Sequence, residues 1–164
     1  SEQRISMLKL GLLPYPAFTV DLREMNRNTP SYMVDTLKSY RKEQGNAVSI
    51  TLLLGTDAFL DLPRWYHWEE ILNLGHILVI NRSATSAKKP SNTILNLLKK
   101  HETNHHKDLL KLPYGKIYRY DAGRYDISST CIRKKINERK SLKDDIPPAV
   151  YQYIVDENLY RIKE

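Results

Sequence analysis

Two nearly continuous apolar runs, residues 49–55 and 76–80, dominate the middle of the chain. Runs of this kind are typical of parallel strands that are buried within a sheet. Residues 65–74, which lie between them, have the pattern of a helix, so the segment predicts a strand–helix–strand unit with parallel strands. Residues 116–120 predict a further strand. The order of these elements predicts an α/β fold with a doubly wound parallel sheet, whose ligands bind at the carboxyl ends of the strands.

Helical periodicity appears before and after these strands. Residues 3–13 carry apolar side chains near helical spacing, and the two prolines that follow end the predicted helix. A second helix is predicted to begin at Ser31, whose hydroxyl can cap the free amides, and to end at Gly45. Tyr40 or the stem of Arg41 is expected on its apolar side. The other predictions are a short strand at residues 18–20 and helices at residues 94–100, 128–138 and 148–157.

The size and composition of the chain restrict its class. Its 164 residues fit one domain with a single core. No apolar run approaches the roughly 18 residues of a membrane span, and the first residues lack the apolar stretch of a signal peptide. The single cysteine, Cys131, cannot form an internal disulfide. These observations predict a cytoplasmic protein with no membrane partner.

The formal net charge is +7, and Lys and Arg are dense between residues 133 and 143. A solvated basic helix face explains most of these charges, whereas a positive field could attract polyphosphates or nucleic acid. No zinc-finger, basic-zipper or RNA-recognition pattern accompanies the charge. We therefore expect no nucleic-acid partner.

A cluster of hydroxyl side chains is predicted to open the helix at residues 128–138. The start of a helix exposes unpaired amides and the positive end of the helix dipole, which suits an anion. Ser128, Ser129 and Thr130 would let a phosphate approach closely. Arg133, one turn further along, could reach back over the same end with its planar guanidinium. An ordinary Ser or Thr cap is the alternative, and the added arginine favours a phosphate site.

Two segments of the predicted strand–helix–strand unit could contact a nucleotide. Gly55, at the carboxyl end of a strand, permits close approach of a ligand, and Asp57 could accept hydrogen bonds from ribose or help to place a metal. Asp57 could equally be a helix cap. Trp65, Tyr66 and Trp68 could stack on a flat heterocycle, although at least one of them is expected in the core.

The histidines do not predict a metal site. His101, His105 and His106 lie among lysines, and no cysteine or carboxylate spacing completes a zinc site, so we interpret them as surface residues of a loop. His76 begins a buried strand, where a structural histidine competes with any functional role.

These segments also match, in order and over nearly the whole chain, the motifs of one enzyme family. The matching residues are Arg4 and Met7-Leu8; Phe18-Thr19-Val20-Asp21, Glu24 and Arg27; residues 30–37 (Pro-Ser-Tyr-Met-Val-Asp-Thr-Leu); residues 55–58 (Gly-Thr-Asp-Ala); residues 62–66 (Leu-Pro-Arg-Trp-Tyr); residues 76–79 with Arg82; residues 127–133 (Ile-Ser-Ser-Thr-Cys-Ile-Arg); and residues 148–150 with 158–160. Taken together they resemble the bacterial nicotinate-nucleotide adenylyltransferases of the nucleotidyltransferase superfamily.

The resemblance implies a fold and a reaction. The fold would be a Rossmann-like doubly wound sheet, with residues 1–164 as a single nucleotidyltransferase domain and a variable polar insertion around residues 83–113. The reaction would join nicotinate mononucleotide to the AMP of ATP, with Mg²⁺ bound to ATP as the cofactor, giving deamido-NAD and pyrophosphate. Family members begin with a strand–helix unit that carries a Gly-rich turn and a His-x-x-His element. None of the five histidines fits that element, so the resemblance implies that this unit is missing from the chain.

The resemblance also implies roles for particular residues. The ATP-binding residues would be Ile127, Ser128, Ser129, Thr130 and Arg133, with Gly55 and Asp57 against the nucleotide. Catalysis would depend on Ser128, Thr130 and Arg133. The nicotinate mononucleotide would be held by Ser31, Tyr32, Met33, Trp65, Tyr66 and Arg82. Met33 replaces the usual threonine, which removes a hydroxyl and leaves the choice between nicotinate and nicotinamide open unless backbone amides make it.

Alternatives from other classes remain at this stage. A non-catalytic nucleotide-binding module would keep the fold without the chemistry, and a structural fragment would fold only with a partner. A basic nucleic-acid-binding domain would use residues 133–143. The pattern is also compatible with a homo-oligomer.

Overall fold

The structure is a computed structural model that describes residues 2–81, 88–123, 127–142 and 145–160. Its backbone contacts form two compact units. The smaller combines Ser1–Leu22 with Asp126–Glu164, and the larger spans Arg23–Tyr125. The assignment of residues 1–164 to a single domain with a polar insertion stays a prediction.

The larger unit contains the parallel sheet that the apolar runs predict. Strands β1 (Thr51–Gly55), β2 (His76–Asn81) and β3 (Ile117–Asp121) pair in the order β1-β2-β3, and both pairings are parallel. The central strand β2 is the most buried, whereas in β1 Leu54 is buried and Leu53 is 59% exposed. The expectation of a fully buried first strand is therefore wrong at Leu53, because Thr51 and Leu53 share a face of β1 that the described residues leave exposed.

Five α-helices accompany the strands among the described residues of the larger unit. They are α2 (Met33–Gln44), α3 (Thr56–Leu60), α4 (Ile71–Leu74), α5 (Asn92–His101) and α6 (Asp108–Lys111). The hydroxyl of Ser91 caps α5 by accepting from the amide of Ile94. Apolar side chains from the helices and the strands form one core, which includes Leu37, Leu54, Phe59, Leu62, Ile71, Leu72, Ile77, Val79, Ile94 and Ile117.

Residues 65–74 do not form the single helix that their spacing predicts. Two 3₁₀ turns, Leu62–Arg64 and Trp68–Glu70, precede the short helix α4. Between the turns, His67 has a left-handed backbone with φ of 48°, a conformation that a continuous right-handed helix cannot contain. The chain therefore folds back at His67 before α4 begins.

Two further local predictions are wrong. Residues 18–20 form no strand, and the side chain of Phe18 is 65% exposed. Tyr32, and not Ser31, is the N-cap of α2, because the Ser31 hydroxyl donates to the carbonyl of Glu24 at 3.1 Å. The predicted C-cap at Gly45 is confirmed, with φ of 81°, where glycine avoids the steric cost of a side chain.

A buried arginine donates hydrogen bonds to the loops that precede the three strands. Arg41 is 8% exposed, and its guanidinium donates five hydrogen bonds to main-chain carbonyls of the described residues. The distances are 2.6–3.0 Å. Three acceptors precede the strands: Val48 before β1, Leu74 before β2 and Pro113 before β3. Because the guanidinium of Arg41 is shielded from water, these carbonyls provide the acceptors that its donors need.

His76, the first residue of β2, is fully buried and acts in the same region. Its Nδ1 accepts from the amide of Lys116 at 3.0 Å, so Nε2 carries the proton and donates to the carbonyl of Leu112 at 2.8 Å. Both ring nitrogens are therefore occupied by the main chain. Of the two alternatives for this histidine, the structure supports the structural one.

The smaller unit is helical. It contains α1 (Glu2–Leu12), α7 (Ser129–Asn137) and α8 (Pro148–Asp156), and its buried residues include Leu142, Ile154 and Leu159. The helix predictions for its segments are confirmed to within two residues at each end. In the part of the chain that the structure describes, no helix has the length and apolar character to cross a membrane.

Candidate functional site

Tyr32, Tyr66 and His67 form an aromatic cluster in the larger unit. The rings of Tyr32 and Tyr66 stack with centroids 4.3 Å apart, and the ring of His67 meets that of Tyr66 edge to face at 4.0 Å. Tyr32 and Tyr66 are exposed. The structure therefore brings together two of the residues for which we expect a role in nicotinate binding.

The start of helix α2 adjoins this cluster through Tyr32, its N-cap. No side chain caps the helix, and the hydroxyl that was expected to do so, that of Ser31, is bonded to the Glu24 carbonyl. The amides of Met33 and Val34 therefore have no capping acceptor among the described residues. Free amides at the positive end of a twelve-residue helix favour a negatively charged group.

Trp65 and Trp68 differ from Tyr66 in burial. Both indole side chains are half-buried and pack against the hydrophobic core, whereas Tyr66 between them is exposed. Of the three aromatic residues, among which at least one core residue was expected, Trp65 and Trp68 border the core and are partly buried. Trp65 precedes Tyr66 in the chain and is partly exposed, and Trp68 begins a 3₁₀ turn.

The carboxyl ends of the three strands border a cavity of about 530 Å³. Thr56 follows β1, while Asn81 and Asp121 end β2 and β3, and all three line it. Two ion pairs lie at this end of the unit, Lys88 with Asp61 at 2.6 Å and Arg119 with Glu102 at 2.5 Å. The position agrees with the general rule for ligand sites in parallel sheets.

Gly55 and Asp57 lie at the same end of the sheet. Gly55 has φ of −73°, which any residue can adopt, and a Cβ added there would have no heavy atom within 4 Å. The fold itself therefore does not require glycine at this position. The open space beside Gly55 favours the approach of a ligand. Asp57 is exposed in the first turn of α3. Arg82, which follows β2, lies outside the described residues.

The predicted phosphate segment belongs to the smaller unit. The Ser128 hydroxyl caps α7 by accepting from the amide of Cys131 at 3.1 Å, so the cap interpretation holds for this residue. Arg133 Nε donates to the carbonyl of Ser129 at 3.1 Å, which folds the guanidinium back towards the start of the helix. Within the described residues, its two terminal nitrogens have no hydrogen-bond partner. Ile127 and Thr130 are exposed in the same segment.

A second cavity, of about 690 Å³, lies in the smaller unit. Ser129 and Arg133 line it from α7, and Arg4 lines it from α1. Its other walls are mostly apolar side chains of α1, α7 and α8. Arg4 is one of the residues that match the family motifs, and the sequence suggested no role for it. In the structure it lines the same cavity as Arg133.

The sequence did not predict an ion pair that borders the aromatic cluster. Lys38 Nζ lies 2.7 Å from Glu70 Oε2, and Glu70 Oε1 lies 3.7 Å from His67 Nδ1. The hydrogen bond with Lys38 holds the pKa of Glu70 below its ordinary value and raises the pKa of Lys38. Lys38 and Glu70 are 32 positions apart, and no local pattern links them.

The described residues contain no group of three or more His, Cys, Asp or Glu side chains placed to hold a metal ion. His105 and His106 are exposed, as expected, and the ring of His106 lies 6.2 Å from that of Tyr118. His101 is half-buried, with Nδ1 2.9 Å from the carbonyl of Gly115.

The chain is similar to known proteins over most of its length. The family model for cytidylyltransferase-like proteins matches residues 1–135. A probable nicotinate-nucleotide adenylyltransferase of Legionella pneumophila (strain Lens) is 46% identical over 161 residues, which cover 98% of this chain and 76% of the relative. A protein of the same description from Shigella boydii is 38% identical, with the same coverage of both chains.

A solved structure supports the fold. The Plasmodium falciparum nicotinic acid mononucleotide adenylyltransferase complexed with NaAD superposes with a TM-score of 0.64. The match has 22% identity and covers 98% of this chain and 74% of that chain. At this level of identity the likeness concerns the fold alone, and it confirms the predicted Rossmann-like α/β architecture.

Proposed function

This chain belongs to the nicotinate-nucleotide adenylyltransferases of the cytidylyltransferase-like family, and we propose that it transfers AMP from ATP to nicotinate mononucleotide. The products would be deamido-NAD and pyrophosphate, in the biosynthesis of NAD. The identity with such relatives over nearly the whole chain carries the proposal. It favours an enzyme over a non-catalytic nucleotide-binding module or a basic nucleic-acid-binding domain.

The aromatic cluster supports a site for the pyridine ring. Tyr66 and the half-buried Trp65 present aromatic surface on which a flat heterocycle can stack. The uncapped amides of Met33 and Val34 are suited to the nicotinate carboxylate, because they lie at the positive end of the α2 dipole. In this proposal backbone groups recognise the acid, so the missing hydroxyl at Met33 does not weaken the preference for nicotinate. Ser31 and Arg82 stay proposed contacts of the same substrate.

The start of α7 supports a site for the phosphates of ATP. Its first amides and the exposed hydroxyls of Ser129 and Thr130 can donate to phosphate oxygens. Arg133 keeps two terminal nitrogens available on the same end of the helix. A planar guanidinium can bind a phosphate through two parallel hydrogen bonds. Ser128, the cap of the helix, fixes the geometry of these donors, and Ile127 precedes it.

Gly55 and Asp57 support contacts with the nucleoside. The open space around Gly55 allows a sugar or base to approach the backbone closely. The exposed Asp57 can accept hydrogen bonds from ribose hydroxyls. Such a close approach would explain why a glycine stands at position 55, where the fold itself does not require one.

The proposed reaction is an in-line displacement at the α-phosphorus of ATP. An oxygen of the 5′-phosphate of nicotinate mononucleotide forms the new P–O bond, and the bond to the bridging oxygen of the β-phosphate breaks. The leaving group is pyrophosphate, whose charge Arg133 and the α7 amides would stabilise. Reactions of this type depend on positioning and on neutralisation of charge, without a covalent intermediate.

A divalent cation, which we propose to be Mg²⁺, would accompany ATP. Mg²⁺ prefers oxygen ligands and often binds through substrate phosphates, waters and one or two carboxylates. This fits the described residues, which offer no three-ligand cluster but do place Asp57 near the carboxyl end of β1. When bound, the ion would neutralise charge on the transferring and leaving phosphates.

The phosphate assignment is tested by Arg133→Ala with Lys134→Ala as its control. Lys134 is next to Arg133 on α7, and its side chain is 75% exposed. Loss of a charge-assisted contact should lower kcat/KM for ATP by roughly tenfold to a hundredfold in Arg133→Ala. Lys134→Ala should keep the wild-type value. Deamido-NAD formation is the measurement, and equal rates for Arg133→Ala and wild type would refute the assignment.

A further inference from the structure

His67 holds a backbone conformation that side chains other than glycine rarely adopt. Its φ and ψ are 48° and 40°, in the left-handed region. Such residues persist when contacts around them compensate for the strain, and they cluster at functional sites. The left-handed turn lies directly after Tyr66, so it sets the direction in which the chain leaves that residue.

The imidazole of His67 is in contact with the ring for which we propose a role in substrate binding. Its centroid lies 4.0 Å from that of Tyr66, with the planes at 78°. Tyr66 also stacks on Tyr32 at 4.3 Å. An exposed ring with two aromatic neighbours at these distances has less rotational freedom than an isolated surface tyrosine. His67 is therefore one of two side chains that restrict Tyr66.

Glu70 lies between His67 and Lys38 of helix α2. Glu70 Oε1 lies 3.7 Å from His67 Nδ1, and Glu70 Oε2 lies 2.7 Å from Lys38 Nζ on α2. The amide of Glu70 also donates to the carbonyl of His67 at 3.1 Å, which closes the turn. Because Tyr32 begins the same helix, both neighbours of Tyr66 are attached to α2.

We propose that His67 is a positioning residue for the nicotinate site, holding Tyr66 in place from its strained turn while Glu70 and Lys38 anchor it to α2. The inference rests on the proposed function, since it assumes that Tyr66 contacts nicotinate mononucleotide. His67 itself touches no reacting atom. The left-handed conformation is thus retained because the ring contact with Tyr66 needs it.

The inference is tested with His67→Gly in the full chain. Glycine adopts φ of 48° without strain, so this variant should fold with an unfolding midpoint no lower than wild type. Removal of the ring contact should raise KM for nicotinate mononucleotide by between about twofold and tenfold. KM for ATP and kcat should stay at their wild-type values. A purely structural role for His67 would not produce this split.

Two matched variants test the contribution of Glu70. Glu70→Gln keeps the shape of the side chain but removes the charge between Lys38 and His67, and should give a smaller increase in the same KM. Glu43→Gln breaks another exposed ion pair of α2, with Arg23 at 3.0 Å, near the opposite end of the helix from Tyr32, and should leave that KM unchanged. If His67→Gly keeps the wild-type KM for nicotinate mononucleotide, the inference is overturned while the proposed function stands.

A measurement that does not depend on activity completes the test. NMR relaxation of ring-labelled tyrosine should show greater mobility of the Tyr66 ring in His67→Gly and little change in Glu43→Gln. A full-length wild-type protein that forms no deamido-NAD would refute the proposed function, and the relaxation data would still decide whether His67 positions Tyr66. Unchanged mobility of the Tyr66 ring in His67→Gly would refute the inference in every case.

Discussion

At the amino ends of the three strands, the polar groups of Arg41 and His76 are buried and bonded to the main chain. Helix α2 links this region to a very different one. Its first residues lie about 12 Å along the helix axis from Arg41, next to exposed aromatic rings and a strained histidine. The same helix thus has one end whose hydrogen bonds are satisfied within the protein and another whose amides have no capping partner.

The comparison suggests a division of tasks within one unit. Buried polar groups that are fully bonded stabilise and specify the fold, and removal of one leaves its partners unpaired away from water. Exposed rings and free amides contribute little to the fold but can contact a ligand. Substitutions near Arg41 should therefore reduce stability, whereas substitutions in the aromatic cluster should affect substrate binding.

The largest effect is expected from Arg41→Met. Methionine keeps much of the side-chain volume but removes the donor to the carbonyls of Val48 and Leu74, and it leaves the carbonyl of Pro113 with only the amide of Ile50. We expect the free energy of unfolding to fall by about 3–5 kcal/mol. Urea denaturation measures it. Arg119→Met is the control, because the side chain of Arg119 is 59% exposed and pairs with Glu102, and it should cost no more than about 1 kcal/mol. Equal losses in the free energy of unfolding for the two arginine variants would contradict a special role of Arg41 in stability.

His76→Leu should have the next largest effect. Leucine fills most of the buried space, but the amide of Lys116 and the carbonyl of Leu112 lose their partners. The expected loss in the free energy of unfolding is about 2–4 kcal/mol. His76→Gln, which retains an acceptor and a donor, should recover part of it. A glutamine variant as unstable as the leucine variant would show that packing, and not hydrogen bonding, is the role of His76.

Tyr66→Ala tests the other end of the helix. Because the ring is exposed, its removal should change the free energy of unfolding by about 1 kcal/mol or less. KM for nicotinate mononucleotide should rise by roughly tenfold, since a stacking surface is lost. Steady-state kinetics and urea denaturation on the same samples give both values. A loss of stability as large as that of His76→Leu would make Tyr66 a part of the fold.

The smallest expected effect is a decline of stability in acid. Hydrogen bonds from lysines lower the pKa of Glu70 and Asp61 from ordinary values of 4.5 and 3.8. Their stabilising contribution is thus present above those values and is lost as the pH falls through the lowered pKa of each group. Both pairs are exposed, so the effect should be small and should weaken in high salt. Thermal unfolding between pH 6 and about pH 3, with and without Lys38→Met, measures the share of the Glu70 pair.

The sequence predicted the sheet well because its signal is local and redundant. An unbroken apolar run such as residues 76–80 has few alternatives to a buried strand. The errors occurred where one residue changed the path of the chain. His67, with its left-handed backbone, divides a segment with helical spacing. The apolar triplet at residues 18–20 is short and lies on the surface, so it forms no strand.

The candidate site was predictable in its residues and not in its contacts. The aromatic run identified Tyr66, but its stacking on Tyr32 joins residues 34 positions apart. The sequence predicted Tyr40 or the stem of Arg41 on the apolar side of its helix. The guanidinium of Arg41 bonds carbonyls 33 and 72 residues away, and every residue carries a carbonyl, so no pattern of side chains reveals such partners.

The hydrogen bonds of Arg41 also bear on how the larger unit unfolds. Loops usually open locally, at a much lower cost than the global transition. The loops before β1, β2 and β3 share one guanidinium, so each of them must give up a hydrogen bond to Arg41 when it opens. The hydrogen-bonded amide protons of Ile50 and Lys116 in this region should therefore exchange with solvent more slowly than those of the exposed residues Asn46 and Ala47.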